Sequence, residues 1–420
     1  MIRTCRSPCS TEFLLGFLIA VLCLTACSQK RVSKDESLRH HYIDVSQTYL
    51  PNIPGAVKQA SFAWLTKDKY KDVILLSGDA QGRTRIFVLI NQGKKKFGYK
   101  KNAELDEVSS KGVHGFWIGD IDADGTEDLV LLTPPGESGS ARVMFNNGTG
   151  MFFNKEGYRL PFIMEGMEQV RLIDIDQDHD LDLIFFGRDV KKPDKSTDPY
   201  SVQLFLNQGN GVFEDATQLL LPKLPPGIVE MSFADYDGNQ SVDIFLVYEK
   251  GQNRLLINNG LGQFADRTDR LPRILDESMS ADWADFDLDG DNDLLVVNRS
   301  LSENQRDFPG EVNYFLENTG GGLFRKRSHK DLPPHPVSRV YLLDGNENGF
   351  ADVILLSAKG IKLLGGRGKW AFNDESARRL PQLSLFVELA FGDFSADQSL
   401  DILALTYPER KPRLWLSSFE

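Results

Sequence analysis

Three features of the sequence predict an all-β fold, a seven-bladed β-propeller with four-stranded blades and an N-terminal strand that closes the last blade. An acidic phrase returns at near-regular intervals, a short apolar run follows each copy, and a turn phrase follows each run. The fullest acidic copy is Asp285-Phe-Asp287-Leu-Asp289-Gly290-Asp291-Asn-Asp293. Its ninth position marks seven units, at Asp72, Asp128, Asp182, Asp243, Asp293, Asp352 and Asp401, spaced 49 to 61 residues apart. A supersecondary unit repeated at that period is the signature of a propeller or solenoid.

The elements follow in order within each unit. Four apolar residues come directly after each marker, at 73–76, 129–132, 183–186, 244–247, 294–297, 353–356 and 402–405. Unbroken runs of that length fit strands buried on both faces. Next comes Asn-x-Gly with an aromatic residue four positions past the glycine, at Gly93/Phe97, Gly148/Phe152, Gly209/Phe213, Gly260/Phe264 and Gly320/Phe324, with a variant at Gly368/Phe372. Asn and Gly are the residues that tolerate the positive φ of a tight hairpin. A third phrase runs Phe213-Glu-Asp215-Ala-Thr217, Phe264-Ala-Asp266-Arg-Thr268 and Phe372-Asn-Asp374-Glu-Ser376, each followed by Leu-Pro. Each unit therefore holds four strands: one before the acidic loop, one after it, and one on each side of the Asn-Gly turn.

The termini give an independent indication. The seventh unit stops after a third strand near Trp415, whereas Tyr42-Ile-Asp44-Val-Ser46, followed by Leu50-Pro51, matches the third phrase position for position. This N-terminal strand is expected to complete blade 7 and so to remove an exposed edge.

The acidic loops carry the chemistry. Side-chain oxygens at positions 1, 3, 5 and 9 occur at Asp120, Asp122, Asp124, Asp128; Asp174, Asp176, Asp178, Asp182; and Asp285, Asp287, Asp289, Asp293. Softer sets are Asp235, Asp237, Asn239, Asp243 and Asp344, Asn346, Asn348, Asp352, and a thinner one is Asp393, Ser395, Asp397, Asp401. Carboxylates so concentrated repel one another unless a cation sits among them, and oxygen donors in that number suit Ca²⁺. Repetition of the loop favours ions that brace hairpins over one ion that serves as a reaction centre.

These phrases resemble the FG-GAP/VCBS repeat family of Ca²⁺-loop propellers, which includes the integrin α-subunit head and many bacterial surface proteins. The resemblance spans about residues 42–420. It implies that positions 1, 3, 5 and 9 offer side-chain oxygens and position 7 a backbone carbonyl. It implies about five Ca²⁺ sites, with a sixth left open in unit 7, where Ser395 occurs and position 6 is not glycine. Unit 1 has Trp64, Thr66, Asp68 and Asp72 at the ligand positions, beside Lys69 and Lys71, and is expected to hold no ion. His179 stands where Gly is usual and is expected to be a turn residue tolerant of positive φ. Integrin-type FG and GAP phrases, and an inserted ligand-binding domain, are not evident.

Composition bounds the rest. The formal charge is −12, with no basic cluster, which argues against nucleic acid as a partner. Five bound Ca²⁺ ions would add ten positive charges and nearly neutralise it. All four cysteines lie within the first 27 residues, so no disulfide framework is available beyond them. Arg3 and Arg6 precede an apolar run at 13–24 that ends in Leu24-Thr25-Ala26-Cys27. This stretch resembles a bacterial lipobox, which implies a signal peptide over 1–26, lipid on Cys27, a polar tether over 27–41 and a propeller over 42–420. Ser28 after the cysteine implies the outer membrane of the cell envelope.

Strand parity puts the acidic loops and Asn-Gly turns on one face. The opposite face has two long loops, 187–200 with Lys191, Lys192, Lys195 and Tyr200, and 298–311 with Arg299, Arg306 and Phe308. Long polar loops on a rigid scaffold are where binding tends to reside, although tolerated insertions look alike. Trp64, Trp117 and Trp283 are expected to pack between blades. The six histidines show no metal-binding spacing, and no nucleophile elbow or phosphate loop occurs. The expectation is therefore a lipid-anchored, calcium-stabilised, non-enzymatic module that binds protein or glycan. A polysaccharide lyase or hydrolase would be favoured by carboxylates or a His gathered at the central channel, and a structural subunit by flat apolar patches on one face.

Overall fold

The computed structural model describes residues 40–93, 96–110, 112–136, 139–156, 158, 160–188, 201–299, 312–381 and 385–418. The expected signal peptide, Cys27 and nearly all of the tether lie outside these residues. So do most of the two long loops, with Lys191, Lys192, Lys195, Tyr200, Arg306 and Phe308.

The strands form seven separate four-stranded antiparallel sheets. Strand β1 (His41–Asp44) opens the chain. Blade 1 is β2 (Ala56–Ala63), β3 (Asp72–Gly78), β4 (Thr84–Asn91) and β5 (Phe97–Lys100). Blade 2 is β6 (Gly115–Gly119), β7 (Asp128–Gly136), β8 (Gly139–Asn146) and β9 (Phe152–Phe153). Blade 3 is β10 (Gln169–Ile173), β11 (Asp182–Phe186), β12 (Val202–Asn207) and β13 (Phe213–Asp215). Blade 4 is β14 (Ile228–Ala234), β15 (Asp243–Tyr248), β16 (Arg254–Asn258) and β17 (Phe264–Asp266). Blade 5 is β18 (Ser278–Ala284), β19 (Asp293–Asn298), β20 (Tyr314–Asn318) and β21 (Phe324–Arg327). Blade 6 is β22 (Arg339–Leu343), β23 (Asp352–Ser357), β24 (Gly360–Gly366) and β25 (Phe372–Asp374). Blade 7 takes β26 (Leu385–Gly392), β27 (Asp401–Tyr407) and β28 (Pro412–Ser418) from the C-terminus and β1 as its fourth strand.

The register places each position-9 aspartate first in the second strand, opposite the last residue of the first strand, as in Ala63↔Asp72, Gly119↔Asp128 and Leu343↔Asp352. The apolar runs that follow are buried along their length. Seven apolar clusters fill the seven gaps between blades; one joins Ile184 and Leu204 of blade 3 to Ile244 and Leu246 of blade 4. Another joins Val73 and Leu89 of blade 1 to Leu403 and Leu414 of blade 7, so the ring is closed. The expected inter-blade role of Trp283 holds: its indole stacks on Tyr236 of blade 4, with centroids 6.1 Å apart.

Closure runs from His41↔Ser418 to Asp44↔Trp415. Packing reaches beyond residue 42 toward the N-terminus, because His41 belongs to β1 and His40 is fully buried. Two features differ from the sequence reading. Short helical turns occur at α1 (Ser46–Tyr49), α2 (Ala103–Ser110), α3 (Thr217–Leu220) and α4 (Ser376–Arg379), with a 3₁₀ turn at Thr268–Arg270. The Ser or Thr of the third phrase starts most of them and accepts a strand N–H: Leu414 to Ser46 at 2.8 Å, Leu204 to Thr217 at 2.9 Å, Leu255 to Thr268 at 3.3 Å and Leu363 to Ser376 at 2.9 Å. The four-fold recurrence of that bond is why the N-terminal phrase could replace the missing strand. Secondly, positive φ in the Asn-Gly turns falls on the glycine, for example Gly209 at +90° and Gly260 at +85°, and not on the asparagine that opens the phrase, although Asn210, directly after Gly209, is also positive at +54°.

Candidate metal centres

The six acidic loops of blades 2 to 7 share one backbone, with positive φ at positions 4 and 6. These are Ala123 and Gly125, Gln177 and His179, Gly238 and Gln240, Leu288 and Gly290, Glu347 and Gly349, and Ala396 and Gln398. His179, at +74° and largely exposed, is the turn residue expected from sequence. Position 4 was not legible as special, because Ala, Gln, Gly, Leu and Glu all occur there and give no common signal. The position-1 aspartate holds this conformation by accepting backbone N–H groups across the loop. Asp120 takes those of Asp124 at 3.0 Å and Gly125 at 2.9 Å, and Asp344 takes those of Asn348 at 2.9 Å and Gly349 at 2.7 Å. Asp174, Asp235, Asp285 and Asp393 do the same.

Position 5 turns back on its own loop: Asp124, Asp178, Asn239, Asp289, Asn348 and Asp397 accept the N–H two residues on. Position 9 is different again. Asp72, Asp128, Asp182, Asp243, Asp293, Asp352 and Asp401 are completely buried. One oxygen of each accepts an N–H at the end of the third strand, as with Asn146 to Asp128 at 2.7 Å and, one residue short of the end of β28, Ser417 to Asp401 at 2.8 Å. In all but blade 6 the other oxygen accepts the N–H of loop position 2. Asp72 makes both bonds in blade 1, where Trp64 and Thr66 replace the acidic positions, so this aspartate braces the hairpin with or without an ion.

Three carboxylates converge in each of four blades, with oxygens within 4.8 Å of one another: Asp120, Asp122, Asp128; Asp174, Asp176, Asp182; Asp235, Asp237, Asp243; and Asp285, Asp287, Asp289. That separation matches oxygens held on a sphere of roughly 2.4 Å radius, the distance at which Ca²⁺ takes its ligands. Among the described residues, Asp344, Asn346, Asn348 and Asp352, and Asp393, Asp397 and Asp401, form no cluster of three such carboxylates. One oxygen on each of Asp122, Asp176 and Asp287, all at position 3, is buried and has no hydrogen-bond partner. A buried acceptor without a donor is costly, and a cation among the three carboxylates removes that cost. Burial, with the neighbouring carboxylates adding to it, pushes Asp122, Asp176 and Asp287 above the usual range and Asp128 and Asp182 up to about 8. The donor set therefore fits a divalent cation in blades 2 to 5.

The asparagine that ends the third strand has a role that sequence reasoning missed. Asn91, Asn146, Asn207, Asn258 and Asn318 each donate Nδ2 to the position-2 carbonyl of the preceding blade: Phe394, Leu65, Ile121, Ile175 and Tyr236, at 2.8 to 3.0 Å. Loop and turn of adjacent blades thus lie on one face, as strand parity requires. The repeated asparagine was the available signal, but its partner is a backbone group about 80 residues away in most blades.

The first strands line the centre of the ring. Arg339 Nη1 of blade 6 lies 4.0 Å from Glu230 of blade 4, two blades away, which places both side chains in the common central space. Arg171 of blade 3 and Glu388 of blade 7 join the same electrostatic group. Side chains also bridge neighbouring first strands: Leu342 N donates to Asp282 at 3.1 Å, and Leu389 N donates to Tyr341 Oη at 3.0 Å. Burial pushes Glu388 and Asp282 up to about 7. No sequence spacing brings these residues together, because they come from different blades.

The FG-GAP-like repeat family matches residues 120–185 and 235–296, which hold the acidic loops of blades 2, 3, 4 and 5. The chain carries FG-GAP-like repeats. Among solved structures, this chain is similar to an Agrocybe aegerita lectin described as recognising non-reducing terminal N-acetylglucosamine. The two are 19% identical over 76% of this chain and 79% of that chain, with a TM-score of 0.50. It is also similar to BBS1N in complex with ARL6DN, at 11% identity over 90% and 97% of the two chains, with a TM-score of 0.53. At these identities the likeness is one of fold. No curated protein matches the chain.

Proposed function

We propose that this chain is a calcium-stabilised, non-enzymatic binding module, held at the bacterial cell envelope by lipid on Cys27, with a protein or a glycan as its ligand. The observation that carries the calcium part is the unpartnered position-3 oxygen of Asp122, Asp176 and Asp287, aimed among carboxylates in three separate blades. Ca²⁺ would supply positive charge there, while the chain's own residues set the loop: position 1 fixes the backbone and position 9 joins loop to strand. The binding role is supported by a rigid ring that presents loops on two faces, and by the similar lectin and the similar protein in complex. Removing divalent ions with EGTA should lower the melting temperature by many degrees, and Ca²⁺ should restore it. An unchanged melting curve would count against calcium. A glycan array and a pull-down with the purified protein would separate glycan from protein ligands, and Cys27→Ser should release the protein from the membrane fraction.

A second reading, an enzyme acting on polysaccharide, is favoured by one observation, the carboxylates, guanidinia and Tyr341 in the central channel. Against it, several of these groups are already engaged: Asp282 accepts the backbone N–H groups of Trp283 and Leu342, and Arg339 lies 4.0 Å from Glu230. Glycan cleavage that is lost in Glu388→Gln would decide for the enzyme. A structural subunit of an envelope assembly is the remaining alternative, and cross-linking in intact cells would reveal it.

A further inference from the structure

Blade 6 departs from the other blades at position 2 of its acidic loop. Position 2 of the acidic loop is apolar in six blades, and its N–H donates to the position-9 aspartate. In blade 6 position 2 is Gly345, and Asp352 Oδ2 takes its hydrogen bond from Arg379 Nη1 at 2.7 Å. Arg379 ends α4. The residues at the same place in α1 and α3 are Tyr49 and Leu220, and each packs on position 2 of its own blade. Tyr49 meets Phe394 edge-on at 5.5 Å, and Leu220 shares a cluster with Ile175. The pairs Tyr–Phe and Leu–Ile thus become Arg–Gly. A Cβ on Gly345 would lie 3.0 Å from Arg379 Nη2 and 2.9 Å from Tyr42 Oη, so the missing side chain is what admits the guanidinium.

We propose that Arg379 is the resident cation of blade 6, and that the loop of Asp344, Asn346, Asn348 and Asp352 binds no divalent ion. This rests on the calcium reading of blades 2 to 5 given above. The Arg379 and Asp352 side chains are wholly excluded from solvent, and Nη1 also reaches Glu375 at 3.1 Å. A second observation agrees. Where three other blades aim an unpartnered carboxylate oxygen of position 3, blade 6 aims the buried, unpartnered Nδ2 of Asn346. The orientation of that amide follows from its Oδ1, which accepts the N–H of Asn348 at 3.2 Å. An N–H donor repels a cation, and two remaining carboxylates fall short of the oxygen set that Ca²⁺ takes. Arg379 also ties blade 6 to the closing strand. Its Nε donates to His40 Nδ1 at 3.0 Å, and His40 Nε2 meets Ser417 of β28 at 3.0 Å. The seam between blades 6 and 7 is therefore held by a charge that no chelator removes.

Native mass spectrometry of the full chain in Ca²⁺ tests this by counting bound ions. Asp285→Asn should carry one ion fewer than the parent, and Asp344→Asn should carry the same number. Loss of one ion in Asp344→Asn would overturn the proposal. A cycle of melting temperatures gives an ion-independent arm. Arg379→Leu and Gly345→Ile should each lower the melting temperature by several degrees, and the double variant, which rebuilds the Ile–Leu pair of blade 3, should recover most of the loss. Additive losses would overturn the exchange of roles. A parent that binds no ion at all would sink the calcium reading of blades 2 to 5 and leave the cycle to judge Arg379.

Discussion

Asn207 shows how one side chain can join three pieces of the molecule. Its N–H meets Asp182 of its own blade at 2.8 Å, and its Nδ2 meets Ile121 O of the preceding blade at 3.0 Å and Leu181 O at 3.2 Å. The side chain is buried, so Asn207→Ala leaves carbonyls without donors, at a cost of about 1–3 kcal/mol. Urea denaturation should show that loss with the slope unchanged. At the same scale, Glu388 illustrates a carboxylate whose proton the fold retains. Burial pushes it up to about 7. Between roughly pH 4.5 and 7 the folded protein holds a proton that the unfolded chain has released, so stability falls as pH rises through that window and levels off above it. Glu388→Gln should lessen the decline of melting temperature between pH 5 and 8, with the other buried carboxylates that burial raises, Asp282 and Asp72 to about 7 and Asp128 and Asp182 to about 8, supplying what remains. An unaltered slope would mean that other groups set it.

At the scale of elements, the hairpin of each acidic loop was readable because its parts are local. The apolar run, the position-1 and position-9 aspartates and the glycine of the following turn lie within one stretch of chain. The helical turns were less readable. Their Asp-x-Ser or Asp-x-Thr signal reads as a repeat, but its hydrogen bond comes from a distant strand N–H, 13 residues earlier for Leu204 to Thr217 and from the other end of the chain for Leu414 to Ser46. Among the described residues helix α2 has no counterpart in another blade, so no repeat could announce it. It starts where Asn102 accepts the N–H of Leu105 at 3.1 Å, with Glu104 and Asp106 in its first turn.

For the whole molecule, closure is the event on which the ring depends. Strand β1 brings Tyr42 into the cluster between blades 6 and 7, beside Leu380 and Trp415. Deleting residues 42–50 removes the fourth strand of blade 7 and the bond from Leu414 to Ser46, and it exposes apolar surface at that seam. Thermal unfolding should shift as one transition to lower temperature. A truncated chain that melted like its parent would mean that the strand is an accessory. Chelation should act elsewhere on the ring, with hydrogen exchange rising in the acidic loops of blades 2 to 5 before it rises at the clasp.

What the sequence determined by itself is the repeated unit: its seven copies, its four strands, the exchange of one strand between the termini, and the loops rich in oxygen donors. These follow from periodicity and turn chemistry, which act over a few residues and are therefore written along the chain. Only the tertiary structure decided which of those oxygens converge, what replaces them in blade 6, and which charges meet in the channel. Arg379 and Gly345 lie 34 positions apart, and Glu230 and Arg339 meet across two blades. Such encounters depend on how the ring closes, because the distances between side chains in different repeats are set only when every blade has packed against the next.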